Sequence, residues 1–196
     1  MVPRYDACVV KYTREESKLS TTRIAELIPA GTWASDPVHS SIGFAVKHMG
    51  VTPFRGGFKT FDAALADGTL VGSTPVVTIQ TDDENLTAHL LSPEFFDAER
   101  HPVLRFESTE IRRDGDEVAI DGLLTLKGES RPVELRGTIT GPLADPYGNS
   151  RLGLELETTI DRTEFGIDWN AELPSGGQVL ANDVKLSAQL ELVQQA

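Results

Sequence analysis

The chain has 196 residues, and 30 acidic against 18 basic side chains give it a formal charge of −12. That length is enough for one domain with a real core, while so acidic a surface repels nucleic acid phosphates and anionic lipid headgroups and makes nucleic acid a poor partner. Cys8 is the only cysteine, so no internal disulfide can form, and no segment approaches the roughly 18 apolar residues that a membrane span needs.

The chain start, Met1 to Lys11, lacks a basic opening followed by an apolar stretch, and charges recur through Glu26. It reads as no signal peptide, and a cytoplasmic location is expected. Residues 1–28 are polar and mixed in charge, weakly helical around Glu15 to Ile28, and form a flexible N-terminal extension. Residues 29–196 form the domain, with regular structure starting near Gly31.

Two-residue alternation dominates this domain. In Ser40 to His48 the large apolar groups Ile42, Phe44 and Val46 fall on alternate positions, with small or charged residues between them, which predicts a strand with one dry face. Gly50 and Pro53 punctuate the chain, and Phe54, Gly56 and Phe58 then share one parity while Phe61, Ala63 and Leu65 take the other. A β-bulge near Lys59 and Thr60 reconciles the two registers. Asp67-Gly68 signals a turn, and Pro75 to Thr81 reads as a further strand.

Asp82 to Asp97 breaks the alternation. Leu86, Leu90 and Leu91 recur at helical spacing, and Ser92-Pro93-Glu94 offers an N-cap, a first-turn proline and an acidic first turn ahead of Phe95 and Phe96. Four more strands come next, with turns at Asp114-Gly115, Gly128-Glu129 and Asp145 to Asn149. Their apolar rows are Leu104 and Phe106; Val118, Ile120, Leu124 and Leu126; Val133, Leu135 and Ile139; and Leu152, Leu154, Leu156 and Ile160. A turn near Thr163 to Gly166 and a hairpin loop at Pro174 to Gly177 lead to a closing strand carrying Val184, Leu186, Ala188, Leu190 and Leu192.

The pattern predicts an all-β fold of about eight antiparallel strands with one or two short helices at one end. A two-sheet sandwich satisfies the same alternation, but rows four or five apolar positions deep favour a closed barrel.

Four blocks of the chain carry a resemblance. They are Gly31-Thr32-Trp33 through His48 with Arg55-Gly56-Gly57-Phe58; His89 through Asp97 with His101-Pro102 and Arg105-Phe106; Leu124 through Gly128 with Arg131-Pro132-Val133; and Phe165-Gly166-Ile167 with Asp183-Val184. In this order they resemble the YceI-like family of polyisoprenoid-binding, lipocalin-like proteins. The resemblance covers about residues 31–193. It implies an extended eight-stranded lipocalin-like β-barrel with a helix over one end, and an apolar tunnel that takes a long isoprenoid or quinone-like chain. Where many relatives carry an Arg-Asp pair before the His89 position, Leu86 and Thr87 stand here.

Rows of Phe and Leu with almost no buried charge suit such a chain. The expected ligand contacts are Ile42, Phe44, Val46, His48, Phe54 and Phe58 from the first strands and Leu90, Phe95 and Phe96 from the helical loop. Leu104, Phe106, Leu124, Leu135, Leu154, Leu156 and Leu186 complete them. His48 shares the Ile42 row and is the polar group best placed to meet a ligand head, unless it only bonds backbone at the barrel end. Phe95 and Phe96 either gate the tunnel or, more simply, plug the barrel; Trp33 and Trp169 read as core or rim anchors. A basic anchor for a head group would come from Lys47, Arg55, Lys59 or Arg105.

Other chemistry has weaker support in the sequence. On one unbroken strand His39 and His48 would face opposite sides, and His89 and His101 have no ligand spacing, so no metal is expected. Asp36, His39 and Ser40 or Ser41 suggest a hydrolase only faintly, because no Gly-x-Ser-x-Gly elbow is present and Asp36-Pro37 reads as a turn. Glu155 and Glu157 fit a solvated outer face. With no phosphate-cradling motif, no cofactor is expected. The leading expectation is a non-enzymatic binding protein for a long isoprenoid or other apolar small molecule, as a monomer or homodimer. Its rivals are a barrel enzyme using His48 as acid or base on an apolar substrate, and an interaction module with a filled barrel.

Overall fold

The structure, a computed structural model, describes residues 28–196. Cys8 and the helical tendency expected from Glu15 lie outside the described residues. Ile28, expected to end the extension, is buried in the core.

The strands are β1 (Thr32–Ser35), β2 (Ser41–His48), β3 (Thr52–Phe58), β4 (Asp62–Ala66), β5 (Thr69–Pro75), β6 (Ile79–Gln80), β7 (Val103–Asp114), β8 (Glu117–Leu126), β9 (Glu129–Ala144), β10 (Ser150–Asp161) and β11 (Leu180–Gln194). One helix, α1 (Glu84–Leu91), lies between β6 and β7. All pairings are antiparallel, and β1 pairs with both β4 and β11 to close a ring.

The expected eight-stranded barrel is present, but three of its staves are each broken in two. β1 and β2 lie in succession along β11, Trp33 opposite Gln194 and Ile42 opposite Ala188. β4 and β3 form the next stave, beside β1 and β2 respectively. β5 and β6 form the third, beside β4 and β3. β7 to β11 run unbroken.

The breaks correct three local expectations. Residues 59–61 are not a bulge within one strand: the chain leaves β2 as a neighbour and turns to join β1. The Thr60 carbonyl, freed from the ladder, instead accepts the Thr74 hydroxyl at 2.7 Å and the Thr78 hydroxyl at 3.2 Å. Pro75 to Thr81 is not a strand, because Val76–Thr78 forms a 3₁₀ turn between β5 and β6. Asp36 to Ser40 interrupts the first stave, so His39 sits in a turn rather than on the Ile42 strand; there the Asp36 carboxylate accepts the Val38 N–H at 2.9 Å.

Ser92 also takes the opposite role to the one predicted. It ends α1 instead of starting a helix, because the residue before a proline is driven to extended backbone, and Ser92 has φ −68° and ψ 167°. The N-cap is Asp83, whose carboxylate accepts the Leu86 N–H at 2.8 Å, with Glu84 in the first turn.

Where β1 closes the ring, the interior is filled. Trp33 faces Leu65, and Leu152 faces Leu192; all four are at most 2% exposed. Ile111, Val118, Ile120 and Ile139 extend this packing. The outer face carries the charge: Arg112 pairs with Asp121 and with Glu134 at 2.7 Å, and Lys185 reaches Glu157 at 2.7 Å, as a solvated outer face implies.

Arg151 ties the turn of the first stave to β10 and β11. Its guanidinium donates to Asp36 at 2.9 Å, to Asp145 at 2.8 Å and to Glu191. Arg151, His39 and the Val38 amide hold the Asp36 carboxyl well below the usual carboxylate range. A group depressed in this way stabilises fully above its unfolded pKa of roughly 4, and the contribution fades as pH falls toward the lower folded value. Asp36→Asn should therefore lower the thermal midpoint at pH 7 by about 2–4 °C. The gap from wild type should shrink below about pH 4; melting curves at neutral and acidic pH test this, and a pH-independent gap would contradict it.

Candidate ligand-binding cavity

The half of the barrel away from Trp33 is hollow. A cavity of about 330 Å³ is walled by Phe44, Val46 and His48 of β2, Phe54 and Phe58 of β3, Leu104 of β7, Leu126 of β8, Ile160 of β10, and Leu180, Val184 and Leu186 of β11. Leu86, His89, Leu90, Phe95 and Phe96 roof it together with Arg162, Ile167, Trp169 and Val179. A second space of about 100 Å³ lies deeper, among Ile42, Ala63, Leu70, Phe106, Leu124, Val133, Leu135, Leu156 and Leu190. Phe58, Leu104 and Leu186 border both, so they stand at the neck where an outer and an inner chamber adjoin. The outer chamber alone reaches the lower end of the ~300–1,000 Å³ range of small-molecule sites.

The alternation explains why these walls are apolar. Directly opposed pairs Val46 and Phe54, Phe44 and Gly56, and Ile42 and Phe58 put one parity of two strands on the inner face. Gly56 is needed there: a Cβ at this position would lie 2.5 Å from the tip of the Phe44 ring. The ring lies across the neighbouring strand, 6.2 Å from the Phe54 ring and 6.3 Å from that of Phe58. Gly122 does the same for Phe106 in the inner chamber. Ile42, Phe44, Phe54, Leu104, Leu135 and Leu186 point inward yet are only half-buried, because there is space rather than packing in front of them.

The roof has its own bracing. α1 lowers Leu86 and Leu90, four residues apart on one helical face, onto the chamber. Beyond Ser92 the chain turns so that Phe96 meets Phe58 edge-on at 6.4 Å, while Phe95 packs 4.9 Å from His89 and 5.2 Å from Trp169. Phe95 and Phe96 thus cover the chamber without filling it. The His89 ring pairs with Glu94 at 2.7 Å. Lys127 latches the roof, donating to the Pro93 carbonyl at 3.0 Å and the Gly166 carbonyl at 2.8 Å.

Polar groups on the cavity are few. The His48 ring has no hydrogen-bond partner among the described residues and borders the outer chamber, on the same inner row as Phe44 and Val46. Arg162, 4% exposed, begins the 3₁₀ turn Arg162–Phe165 after β10. Burial pulls its pKa down. The candidate anchors Lys47, Arg55, Lys59 and Arg105 are all exposed on the outer face, where Arg105 pairs with Glu107 at 2.8 Å. Arg162 was missed because it lies just past the strand. Yet the even-numbered row Leu152, Leu154, Leu156 and Ile160 continues to it, and that parity was the available signal.

The predicted contacts otherwise divide by depth. Phe44, Val46, His48, Phe54, Phe58, Leu90, Phe95, Phe96, Leu104 and Leu186 border the outer chamber, and Ile42, Phe106, Leu124, Leu135 and Leu156 the inner one. Leu154 borders neither; it sits between Ile139 and Leu190 toward the filled half. Leu86, His89, Trp169 and Leu180 line the chamber without having been assigned to it from the sequence.

The hydrolase trio does not assemble. The His39 ring does bond Asp36 at 3.0 Å, but neither serine joins them: the Ser40 hydroxyl accepts the Glu191 N–H at 2.9 Å and the Ser41 hydroxyl donates to the Gln189 side chain at 3.4 Å. Asp36, His39 and Glu191 place possible ligand atoms within 4.8 Å of one another. The Arg151 guanidinium already bonds both carboxylates and supplies the positive charge at that point.

Residues 33–192 match the family described as YceI-like domain. A Pectobacterium atrosepticum protein named UPF0312 protein ECA1782 is 32% identical over 92% of this chain and 98% of its own length. Protein YceI of Escherichia coli O6:H1 is 34% identical over 66% of this chain and 71% of that protein. Among solved structures, Burkholderia cenocepacia BcnA aligns with a TM-score of 0.63 at 20% identity, covering 80% of this chain and 98% of BcnA. A polyisoprenoid binding domain from Saccharophagus degradans aligns with a TM-score of 0.66 at 10% identity, covering 85% of this chain and all of that domain. At such identities the structural matches speak for the fold alone.

Gly56→Ala should push the Phe44 ring into the outer chamber. A solvatochromic apolar dye such as N-phenyl-1-naphthylamine should then bind about tenfold more weakly than to wild type, while the melting curve stays cooperative. Unchanged dye affinity would show that the ring is not set by that glycine.

Proposed function

The chain belongs to the YceI-like family, and from that premise we propose that it is a non-enzymatic binding protein that takes a long isoprenoid or quinone-like chain into its barrel, to sequester or carry it. The observation that carries this reading is a pair of apolar cavities that adjoin along the barrel, with Phe58, Leu104 and Leu186 in the walls of both. Two chambers in series suit an elongated hydrocarbon better than a compact molecule. The fold shared with a domain described as polyisoprenoid-binding is consistent with it.

Such a ligand is held by contact and desolvation. Removing about 300 Å² of hydrocarbon from water contributes roughly 7–8 kcal/mol before the costs of association. Binding is preferred to catalysis because the His48 ring has no described hydrogen-bond partner to orient it, and the Ser40 hydroxyl bonds the Glu191 backbone rather than the His39 ring. A reducing, cytoplasmic setting suits a sequence whose one cysteine is Cys8. No helix among the described residues is long and apolar enough to cross a membrane.

Delipidated protein should bind geranylgeraniol more tightly than geraniol, because only the longer chain reaches past the neck. Leu186→Trp narrows that neck and should remove most of the preference, by about tenfold or more, with the circular dichroism unchanged. Native mass spectrometry of freshly purified protein should also show an added mass that organic solvent extracts. A wild-type protein that takes up neither alcohol would overturn the reading.

A further inference from the structure

Arg162 is a buried cation at the edge of a hydrocarbon chamber, with the charges of Asp161 and Asp168 near it but no salt bridge to either. Its Nε donates to the Ala181 carbonyl at 3.0 Å, and its Nη1 donates to the carbonyls of Ile167 at 2.6 Å and Trp169 at 2.9 Å. These bonds fix the plane of the guanidinium against the start of β11 and the segment after the 3₁₀ turn. None of the three acceptors is a carboxylate, and no salt bridge to Arg162 is formed among the described residues. The third nitrogen, Nη2, has no protein acceptor among them.

A guanidinium carries five N–H donors and no acceptor, and it stays charged inside proteins. Nη2 keeps a small accessible surface, and a charged donor of this kind draws its acceptor from whatever occupies the space beside it. Arg162 borders the outer chamber, in which nearly every other lining group is aliphatic or aromatic. The carbonyl bonds on the other two nitrogens hold Nη2 in place before any ligand arrives, so little ordering cost remains when a partner binds.

We propose that Arg162 anchors the ligand's head: the Nη2 N–H groups donate to an acceptor oxygen, a quinone-type carbonyl or a carboxylate, at the roofed end of an otherwise hydrocarbon ligand. This rests on the binding function proposed for the cavity. It orients the ligand, with its oxygen-bearing head beside Arg162 and His48 and its tail pointing through the neck toward Phe106 and Leu124. The same chamber then discriminates against pure hydrocarbons, which offer Nη2 no acceptor.

Three chain-matched probes test it on delipidated protein: farnesylacetone, farnesylacetic acid, and the hydrocarbon in which the ketone carbonyl of farnesylacetone is replaced by methylene. At least one oxygen-bearing probe should bind about tenfold more tightly than the hydrocarbon. Preference for the acid alone identifies an anionic head, and preference for both a general acceptor; either supports the anchor. In Arg162→Gln the preference should fall to near unity while the hydrocarbon still binds. Because that variant also loses bonds to three carbonyls, a second measurement uses wild-type protein labelled with ¹⁵N-arginine. The Arg162 Nη2 resonance should shift when the preferred oxygen-bearing probe binds and stay in place with the hydrocarbon. Equal affinities for all three probes, or an unmoved Nη2 resonance, would overturn the anchor and leave the binding function intact. If none of the probes binds, both readings fall.

Discussion

Ring closure is the constraint on which the rest of the molecule depends. Once β1 pairs with both β4 and β11, the sheet has an inside, and alternation, re-phased at a few register shifts, turns about every second residue of each stave toward it. The closing strand is only four residues long, Thr32–Ser35. Above it the first stave breaks, and β2 replaces β1 beside β11, with β3 replacing β4 in the next stave. The two ends of the barrel are thus built from different pieces of chain. One end draws Trp33, Leu65, Leu152 and Leu192 into solid packing; the other leaves phenylalanines and leucines facing each other across open space.

Hollowness is costly in a protein interior, since side chains that face a void lose the contacts that dense packing would give them. Here it is propped open by specific geometry. The Phe44 and Phe106 rings lie across glycines in adjacent strands instead of reaching over the cavity, and the roof is pinned from two directions, by the His89–Glu94 pair and by Lys127. The 3₁₀ turn after β10 serves both needs. Its Gly166 carbonyl receives Lys127, and its Arg162 gathers carbonyls from Ile167, Trp169 and Ala181.

Much of this architecture can be read in the sequence because alternation is a local signal. The inner row of Ile42, Phe44, Val46 and His48 follows from parity alone, as do the rows of β7 to β11, and the resemblance in four ordered blocks points to the same barrel. The stave breaks are harder to see, since they depend on which neighbour a segment pairs with. Phe54 to Leu65 therefore looks like one strand with a bulge, although β3 and β4 pair with different partners. Ser92-Pro93-Glu94 is ambiguous for another reason: the proline that can begin one helix also forces the residue before it to end another. Arg162 escaped because charge on an apolar row is read as the end of the row. Only the three carbonyls that converge on it, two from the loop just after its turn and one from the start of β11, make it an interior residue.

The filled end at Trp33 has a consequence for traffic. A barrel blocked at one end and roofed at the other is a pouch rather than a pipe. In the binding function proposed above, an occupant of such a pouch leaves by the end at which it entered, and the part that went in first comes out last. Under that proposal, a molecule that receives the contents has to approach the roofed end rather than the packed one.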